Sequence, residues 1–583
     1  MLRSPQSSAL LAISLLVVLM GLVLGVGGAW LIALGGSWYY LVAGLAFLIT
    51  GRLLMERSAH ALWVYAATVA GTLLWALWEA GLDWWPLAIR LDVPFVLGVL
   101  LLTPWVTRRL EPAAARGGRI GLALALLAFV GVAVASWVVD PHDVDGALPQ
   151  AAAAAPTPEG GGVPPGEWHA YGRTGHGQRY SPLAQITPDN VSRLEVAWHY
   201  RTGDVRGQPG DPEETTFEVT PLKVGNRLFL CTPHQRVVAL DPTTGAELWR
   251  YDAQIQGRLA LQHLTCRGLS YLPPGGAADA GAADGCTARL FMPTADGRLI
   301  ALNPDNGELC RSFGGGTGQI DLWANMPHKR AGGYYSTSPV VVTDRVVVVG
   351  GTVLDNVSTH EPSGVIRAFD VHTGALVWNW DPGNPEATEP IAPDATYTPS
   401  SPNSWSVSSV DTELGLVYVP LGNQPPDQWG GRRSEAVERY SSSVVALEQV
   451  TGRVRWHFQT VHHDLWDYDV PSQPTLVDLT IGAERVPALV QPTKQGELFV
   501  LDRRTGEPLL PVREVPAPQG AVEGDRTAPT QPVSALSFDP PPLAGRDMWG
   551  ATLFDQMYCR IAFHRLRYEG RYTPPTVRGS LVY

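Results

Sequence analysis

The sequence predicts two structural classes in one chain, an N-terminal bundle of five membrane-crossing helices and then an all-β propeller. Three observations predict them. Five apolar runs fill the first 140 residues, an Ala/Pro/Gly-rich stretch follows, and a strand–turn–strand phrase recurs five times after residue 168. The 583 residues are enough for more than one unit with a large core. With Gly 61, Pro 49, Trp 20 and only 17% charged residues, the composition reads as turn-rich and aromatic rather than disordered. The net charge of −12 makes nucleic acid an unsuitable partner for the molecule as a whole.

The apolar runs lie near 9–34, 38–55, 60–80, 86–106 and 119–139, each about as long as a bilayer requires. A cleaved signal peptide has one short apolar core, so five runs exclude it. Arg3, Arg52, Arg57, Arg108, Arg109, Arg116 and Arg119 fall on one side, and Glu79 and Asp83 on the other. The positive-inside rule therefore places the N-terminus in the cytoplasm, and five crossings put everything after Val139 outside it. Arg90 and Asp92 form an ionisable pair near the start of the fourth run. Such a pair is either a polar site at membrane depth or an interfacial, snorkelling pair.

Residues 1–140 thus read as the anchor, 141–167 as a linker containing ALPQAAAAAPTPEGGGVPPGE, and 168–583 as the propeller domain. The repeated phrase is VVALDPTTGAELW (237–249), LIALNPDNGELCR (299–311), IRAFDVHTGALVW (366–378), VVALEQVTGRVRW (444–456) and LFVLDRRTGEPLL (498–510). Each is a strand, a turn closed by glycine, and a second strand often ending in Trp. Gly245, Gly307, Gly374, Gly452 and Gly506 supply the positive φ of the turn. Their spacing of about 55 to 80 residues suits a four-stranded blade with a top loop. The Trp at a phrase end is expected to dock on the neighbouring blade.

The cysteines are Cys231, Cys266, Cys286, Cys310 and Cys559, with no CxxC pair for a zinc ribbon or thioredoxin-like site. Outside the cytoplasm, Cys266 and Cys286 can close a disulfide across YLPPGGAADAGAADG; unpaired, buried small residues are the alternative reading.

The phrases resemble the tryptophan-docking motifs of quinoprotein dehydrogenases, which bind pyrroloquinoline quinone (PQQ) on the axis of an eight-bladed propeller. The five-helix anchor followed by WHAYGRTGHGQRYSPLAQIT resembles the membrane-bound PQQ glucose dehydrogenases. FEVTPLKVGNRLFLCTPHQRVVALD, TCRGLSY, DNVSTHEPSGVIRAFD, SPNSWS, TVHHDLWDYDVPSQP and DMWGATLFDQMYCRIAFHRLRYEGRYTPP extend the resemblance over essentially the whole chain. It implies eight blades where five phrases are seen. The end at GSLVY therefore reads as a truncation at Tyr583 that removes the last blades, leaves an open strand edge and can leave the chain inactive.

The resemblance also implies site residues. Trp405 is the floor on which the flat PQQ ring stacks, and His234 is the residue on its opposite face. Arg267 and Lys494 are its cations, and Glu218 and Thr337 supply further hydrogen bonds. Asp355, Asn356 and Asn423 are the oxygen ligands of Ca²⁺ or Mg²⁺, although Asp-Asn in a loop is ordinarily an Asx turn. In VHHDLWDYDVP (461–471), neighbouring histidines on an extended strand point to opposite faces and do not share a metal. Asp467 matches the catalytic base, with Lys494 beside it, and a cation and a lysine should keep it ionised. His462, His463, Asp464 and Asp469 are expected to pin the loop.

The implied activity is oxidation of D-glucose or a similar aldose at C1 to the lactone, with electrons passing from PQQ to ubiquinone. The setting implied is the bacterial inner membrane, with the propeller in the periplasm. No CxxCH haem motif is present, which suits a quinone acceptor. A quinate, shikimate or polyol dehydrogenase is the nearest rival. A membrane-tethered propeller scaffold is the rival of another class, and it should lack the Trp405, Asp467 and Lys494 set.

Overall fold

The computed structural model describes residues 5–139, 141–143, 162–257, 259, 262–275, 284–355 and 357–581. Most of the expected linker, and Asn356 among the expected metal ligands, lie outside them. The chain divides into two compact units, Met1–Ala152 with Pro541–Tyr583, and Ala153–Pro540.

In the first unit all five apolar runs are helical, as Pro5–Ala33, Tyr39–Met55, His60–Ala80, Trp84–Leu102 and Pro112–Val138. Four of these are long and apolar enough to cross a membrane; Tyr39–Met55 is shorter, at 17 residues. Its rise of about 1.5 Å per residue gives roughly 26 Å, against a hydrocarbon core of about 30 Å. The first two helices meet along a glycine seam. A Cβ on Gly28 would stand 2.3 Å from the Leu41 nitrogen, and one on Gly44 would stand 2.4 Å from the Gly25 nitrogen. Small residues let helix backbones approach where apolar burial gives no drive toward association.

The stretch from 541 onward, read from sequence as part of the propeller domain, clusters here with the helices. Helix Leu553–Arg565 starts at a capping box, with Thr552 Oγ1 accepting from Phe554 N and Asp555 accepting from Thr552 N at 2.7 Å. Its Leu553, Met557 and Ile561 are buried in the same core as the apolar helices. Arg90 pairs not with Asp92 but with Glu79 of the preceding helix, at 3.0 Å.

In the second unit, four antiparallel four-stranded sheets run over 222–252, 270–321, 341–380 and 409–459. A three-stranded sheet over 475–502 and a hairpin over 512–534 follow. The apolar cores lie between successive sheets. Ile366, Ala368 and Trp378 of the third sheet pack with Val417, Val445 and Leu447 of the fourth, whose Tyr418, Val444 and Ala446 pack with Leu476, Leu489 and Phe499. This face-to-face succession is the propeller. The segment at 168–178 ties distant sheets together, because Trp168 pairs with Lys223, Val410 N donates to Gly175 O, and Gln178 Nε2 donates to Leu476 O at 2.7 Å.

The phrase glycines explain how one blade meets the next. Trp249 covers Gly307, Trp378 covers Gly452 and Trp456 covers Gly506; Trp198, upstream of the first phrase, covers Gly245. Each indole Nε1 also donates to a carbonyl of the turn it covers, as Trp378 does to Gln449 O at 2.9 Å. The phrase at 299–311 has Arg311, next to Cys310, where the first, third and fourth phrases have Trp, and Gly374 of the next phrase is met by Phe313, Ile320 and the Gly314 nitrogen instead.

The disulfides are Cys231–Cys266 and Cys286–Cys310, with Cys559 free. The Cys266–Cys286 pairing suggested by their flanking of the insert is therefore corrected. Cys266 is buried with Cys231 between the first two sheets, whereas Cys286 sits with Cys310 in the next core.

At Gly452, with φ of 69°, a Cβ would stand 2.5 Å from the Trp378 ring. Left-handed strain and overpacking together should make Gly452→Ala destabilising by ~2–4 kcal/mol. A thermal melt of the detergent-solubilised protein should show the lower Tm, and an unchanged Tm would mean the docking contact is not tight.

Candidate active site

Trp405 lies in the loop SPNSWS between the third and fourth sheets, held by Ser338 Oγ donating to its carbonyl at 2.6 Å. Its indole Nε1 donates to Asp469 Oδ2 at 2.9 Å, which fixes the ring plane. Two cations stand near its ring, with Arg267 Cζ and Lys494 Nζ each 5.9 Å from a ring centroid.

Neighbouring blades supply the partners that aim these cations. Arg267 Nε pairs with Glu218 at 3.1 Å, its guanidinium donates to Thr337 Oγ1, and its backbone N–H donates to Thr337 O at 3.0 Å. Lys494, in the turn after strand Glu484–Pro492, donates to Asp467 O at 2.7 Å and lies 3.5 Å from Asp467 Oδ1 and 3.6 Å from Asp469 Oδ2. Burial alone would lower the pKa of Lys494, but Asp469 and Asp467 outweigh it and raise it. The lysine is therefore a firm cation. Trp405, Arg267, Glu218, Thr337, Lys494 and Asp467 are thus brought together.

The loop 461–471 is pinned by its other polar groups. Fully buried Asp464 accepts from Ser442 Oγ at 2.5 Å and from the Trp466 and Tyr468 nitrogens at 2.8 Å. His463 joins Glu438 at 2.8 Å and Asp525 at 2.9 Å, while His462 joins Gln459 at 2.8 Å and Glu514 at 3.2 Å. The two imidazoles face different partners. Asp467 itself takes a left-handed backbone, φ 63°.

The electrostatics of that carboxyl differ from the sequence expectation. Burial first, then Asp469, push the pKa of Asp467 up against the pull of Lys494, with Asp427 and Asp464 adding to the rise. Asp427, buried near Asp469 and Asp355, is likewise pushed up, to about 7. Lys494 alone does not offset these carboxylates. Asp427 Oδ2 and Asp467 Oδ1 are buried without a hydrogen-bond partner, a donor set that a hard divalent cation fits. Among the described residues, however, no three His, Cys, Asp or Glu side chains form a closed metal cage. Asp355 accepts from Gln262 Nε2. Asn423 acts as a brace: its Nδ2 donates to Asp427 O at 2.9 Å and Asp464 O at 3.1 Å, and its Oδ1 accepts from Gln424 N.

Residues 168–583 match the family model of the PQQ glucose/ethanol/alcohol dehydrogenase β-propeller domain. The chain belongs to that family. Similar proteins include the quinoprotein glucose dehydrogenase of Escherichia coli (strain K12), 48% identical over 98% of this chain and 71% of that protein. That of Gluconobacter oxydans (strain 621H) is 47% identical over 97% and 70%. The quinate/shikimate dehydrogenase (quinone) of Acinetobacter baylyi (strain ATCC 33305 / BD413 / ADP1) is 37% identical over 96% and 70%.

His234, expected beside Trp405, is not among the residues gathered around it. Its Nδ1 faces Asp204 and its Nε2 faces Asp211 at 2.7 Å, on a separate cavity lined by Gln208 and Arg236. His263 stands closer to the set, 3.2 Å from Glu218 Oε1 and four residues before Arg267. Sequence reasoning missed His263 and Asp427. The usable signals were a second histidine, two residues before TCRG, and a lone carboxylate in PLGNQPPDQWGG.

The His234 cluster has a pH signature. Burial lowers its pKa, but the hydrogen bonds it donates to Asp211 and Asp204 win and raise it above 6.5. Asp204 and Asp211 are held below 3.8 by hydrogen bonds, including those to His234, against the effect of burial. The histidine's contribution is complete below pH 6.5 and fades as pH rises through its raised value. The carboxylates' contribution fades as pH falls below their ordinary range. His234→Gln should therefore lower Tm most between about pH 4 and 6.5, by ~2–4 °C for each kcal/mol lost. Melts across pH should show the gap to wild type narrowing on the alkaline side.

Proposed function

We propose that this protein is a membrane quinoprotein that oxidises D-glucose, or a similar aldose, at C1 to the lactone and delivers the electrons to ubiquinone. The observation that carries the reading is the pair of cations on Trp405 with Asp467 held against one of them. It is supported by relatives of which two are named for glucose. A flat, carboxylated ring fits an indole floor bordered by Arg267 and Lys494, and Ca²⁺ or Mg²⁺ fits the carboxylates left unbalanced beside it. PQQ would supply the two-electron acceptor for the C1 hydride, and the cation would polarise its carbonyl.

The chain's own residues orient the substrate and move its proton. Oxidation at C1 removes a hydride from carbon and a proton from the anomeric hydroxyl. Asp467 is the base for that proton, its Oδ1 free of hydrogen bonds and 3.5 Å from Lys494 Nζ. Lys494 and a divalent cation favour the ionised carboxylate that this role needs, opposing the upward push of burial and Asp469. Asp469 orients the Trp405 indole and receives Asn423 N–H at 2.8 Å, linking floor and base through one carboxylate. The alternating charges along the helices and the two disulfides support a bacterial inner-membrane protein with its propeller in the periplasm.

Protein loaded with PQQ and Ca²⁺ or Mg²⁺ should reduce an artificial dye with glucose and much more slowly with quinate or glycerol; the reverse order would reassign the substrate. Asp467→Asn should lower kcat by about 10²–10⁴-fold with PQQ binding retained. Chelation should abolish turnover, and either cation should restore it.

A further inference from the structure

The first unit contains a cavity of about 1080 Å³ bordered by helices Tyr39–Met55 and His60–Ala80 and by helix Leu553–Arg565. We propose that this cavity is the binding site for the head group of a lipid-soluble quinone. The inference rests on the reading of ubiquinone as electron acceptor and gives that acceptor a place.

The cavity is apolar at one end and polar at the other. Val42, Ile49 and Trp78 line it and are themselves more than half exposed (Val42 62%, Ile49 51%, Trp78 80%) on apolar helices, of which His60–Ala80 is long enough to cross a membrane. Only a ligand with a hydrocarbon part enters through such a rim. At the other end, the Tyr39 ring stacks on Trp75 with centroids 3.6 Å apart and planes 2° apart, forming a flat aromatic wall. Tyr39 OH and Thr72 Oγ1, 2.9 Å apart, place two hydroxyls beside it.

The polar end also has donors left over. Arg560, 2% exposed at its side chain, pairs with Glu79 at 2.5 Å and lies 5.5 Å over the Trp75 ring, yet its Nε has no partner. Trp75 Nε1 is buried and equally unpartnered. Arg90 shares the same Glu79 carboxylate, so two guanidiniums face one anion. Buried donors without acceptors are costly, and this set calls for a neutral ligand that accepts hydrogen bonds. A quinone ring is flat, has acceptor carbonyls and no donors, and carries an apolar tail. It matches the wall, the leftover donors and the lipid-facing rim together. A phospholipid would match the rim and the charge but has no ring for the wall.

The test uses the whole protein in nanodiscs with a short-tailed azido-quinone as photolabel. Label should fall on peptides covering 39–79 and 545–564 and be competed by decylubiquinone. Thr72→Phe, which fills the polar end, and Ala46→Trp, which narrows the apolar part, should each reduce labelling at least 10-fold and raise the KM for decylubiquinone by a similar factor. Label confined to other peptides, competition by phospholipid but not by quinone, or undiminished labelling in both folded variants would overturn the site. Labelling needs no turnover. A protein that is labelled here but does not oxidise glucose upholds the site and refutes the proposed activity; an active protein labelled elsewhere does the opposite.

Discussion

The propeller depends on one repeated contact, an indole laid over the glycine of the next blade's turn. Only glycine leaves room for it, since a Cβ at Gly245, Gly307, Gly452 or Gly506 would lie 2.5–2.6 Å from indole carbons. The same residue has the positive φ that closes the turn. One side-chain deletion therefore serves both the hairpin and the joint. With blades fixed at these joints, loops from separate sheets can hold Arg267, Trp405 and Lys494 in one place.

Charge balance governs the site in a different way. Burial and the charge of Asp469 beside them raise the proton affinity of Asp467, Asp464 and Asp427. Lys494 and Arg433 are the cations that pull against them. A crowd of carboxylates is unfavourable in a folded core unless a ligand needs it. The membrane unit shows the converse, two arginines on one glutamate with donors left over.

Much of this was legible in the sequence because period and turn chemistry are local. The five helices, the phrase glycines and the Trp ends follow from spacing alone, and motif context led to Trp405, Arg267, Lys494, Glu218 and Thr337. What escaped was decided by distant pairing. Cys266 has two cysteines within about 35 residues, and only the core between the first two sheets selects Cys231. His234 sits in a motif resembling the family's, but Asp204 and Asp211, 30 and 23 residues away, hold both its nitrogens. Arg90 looked paired to Asp92 two residues on, a spacing that turns the side chains apart on a helix; its partner is 11 residues back, and Arg560 is 470 residues on.

The docking contacts have a direction. Trp249, Trp378 and Trp456 each reach forward, to a turn that emerges later from the ribosome. A blade made or exported N-terminus first thus waits with one bare indole until the next hairpin arrives, and its arrival covers that indole while baring another. Assembly proceeds like a zip, with about one aromatic ring at a time available for wrong partners. At the tooth where Arg311 stands in place of Trp, the forward reach is missing, and the Cys286–Cys310 bond beside it fastens a blade to itself.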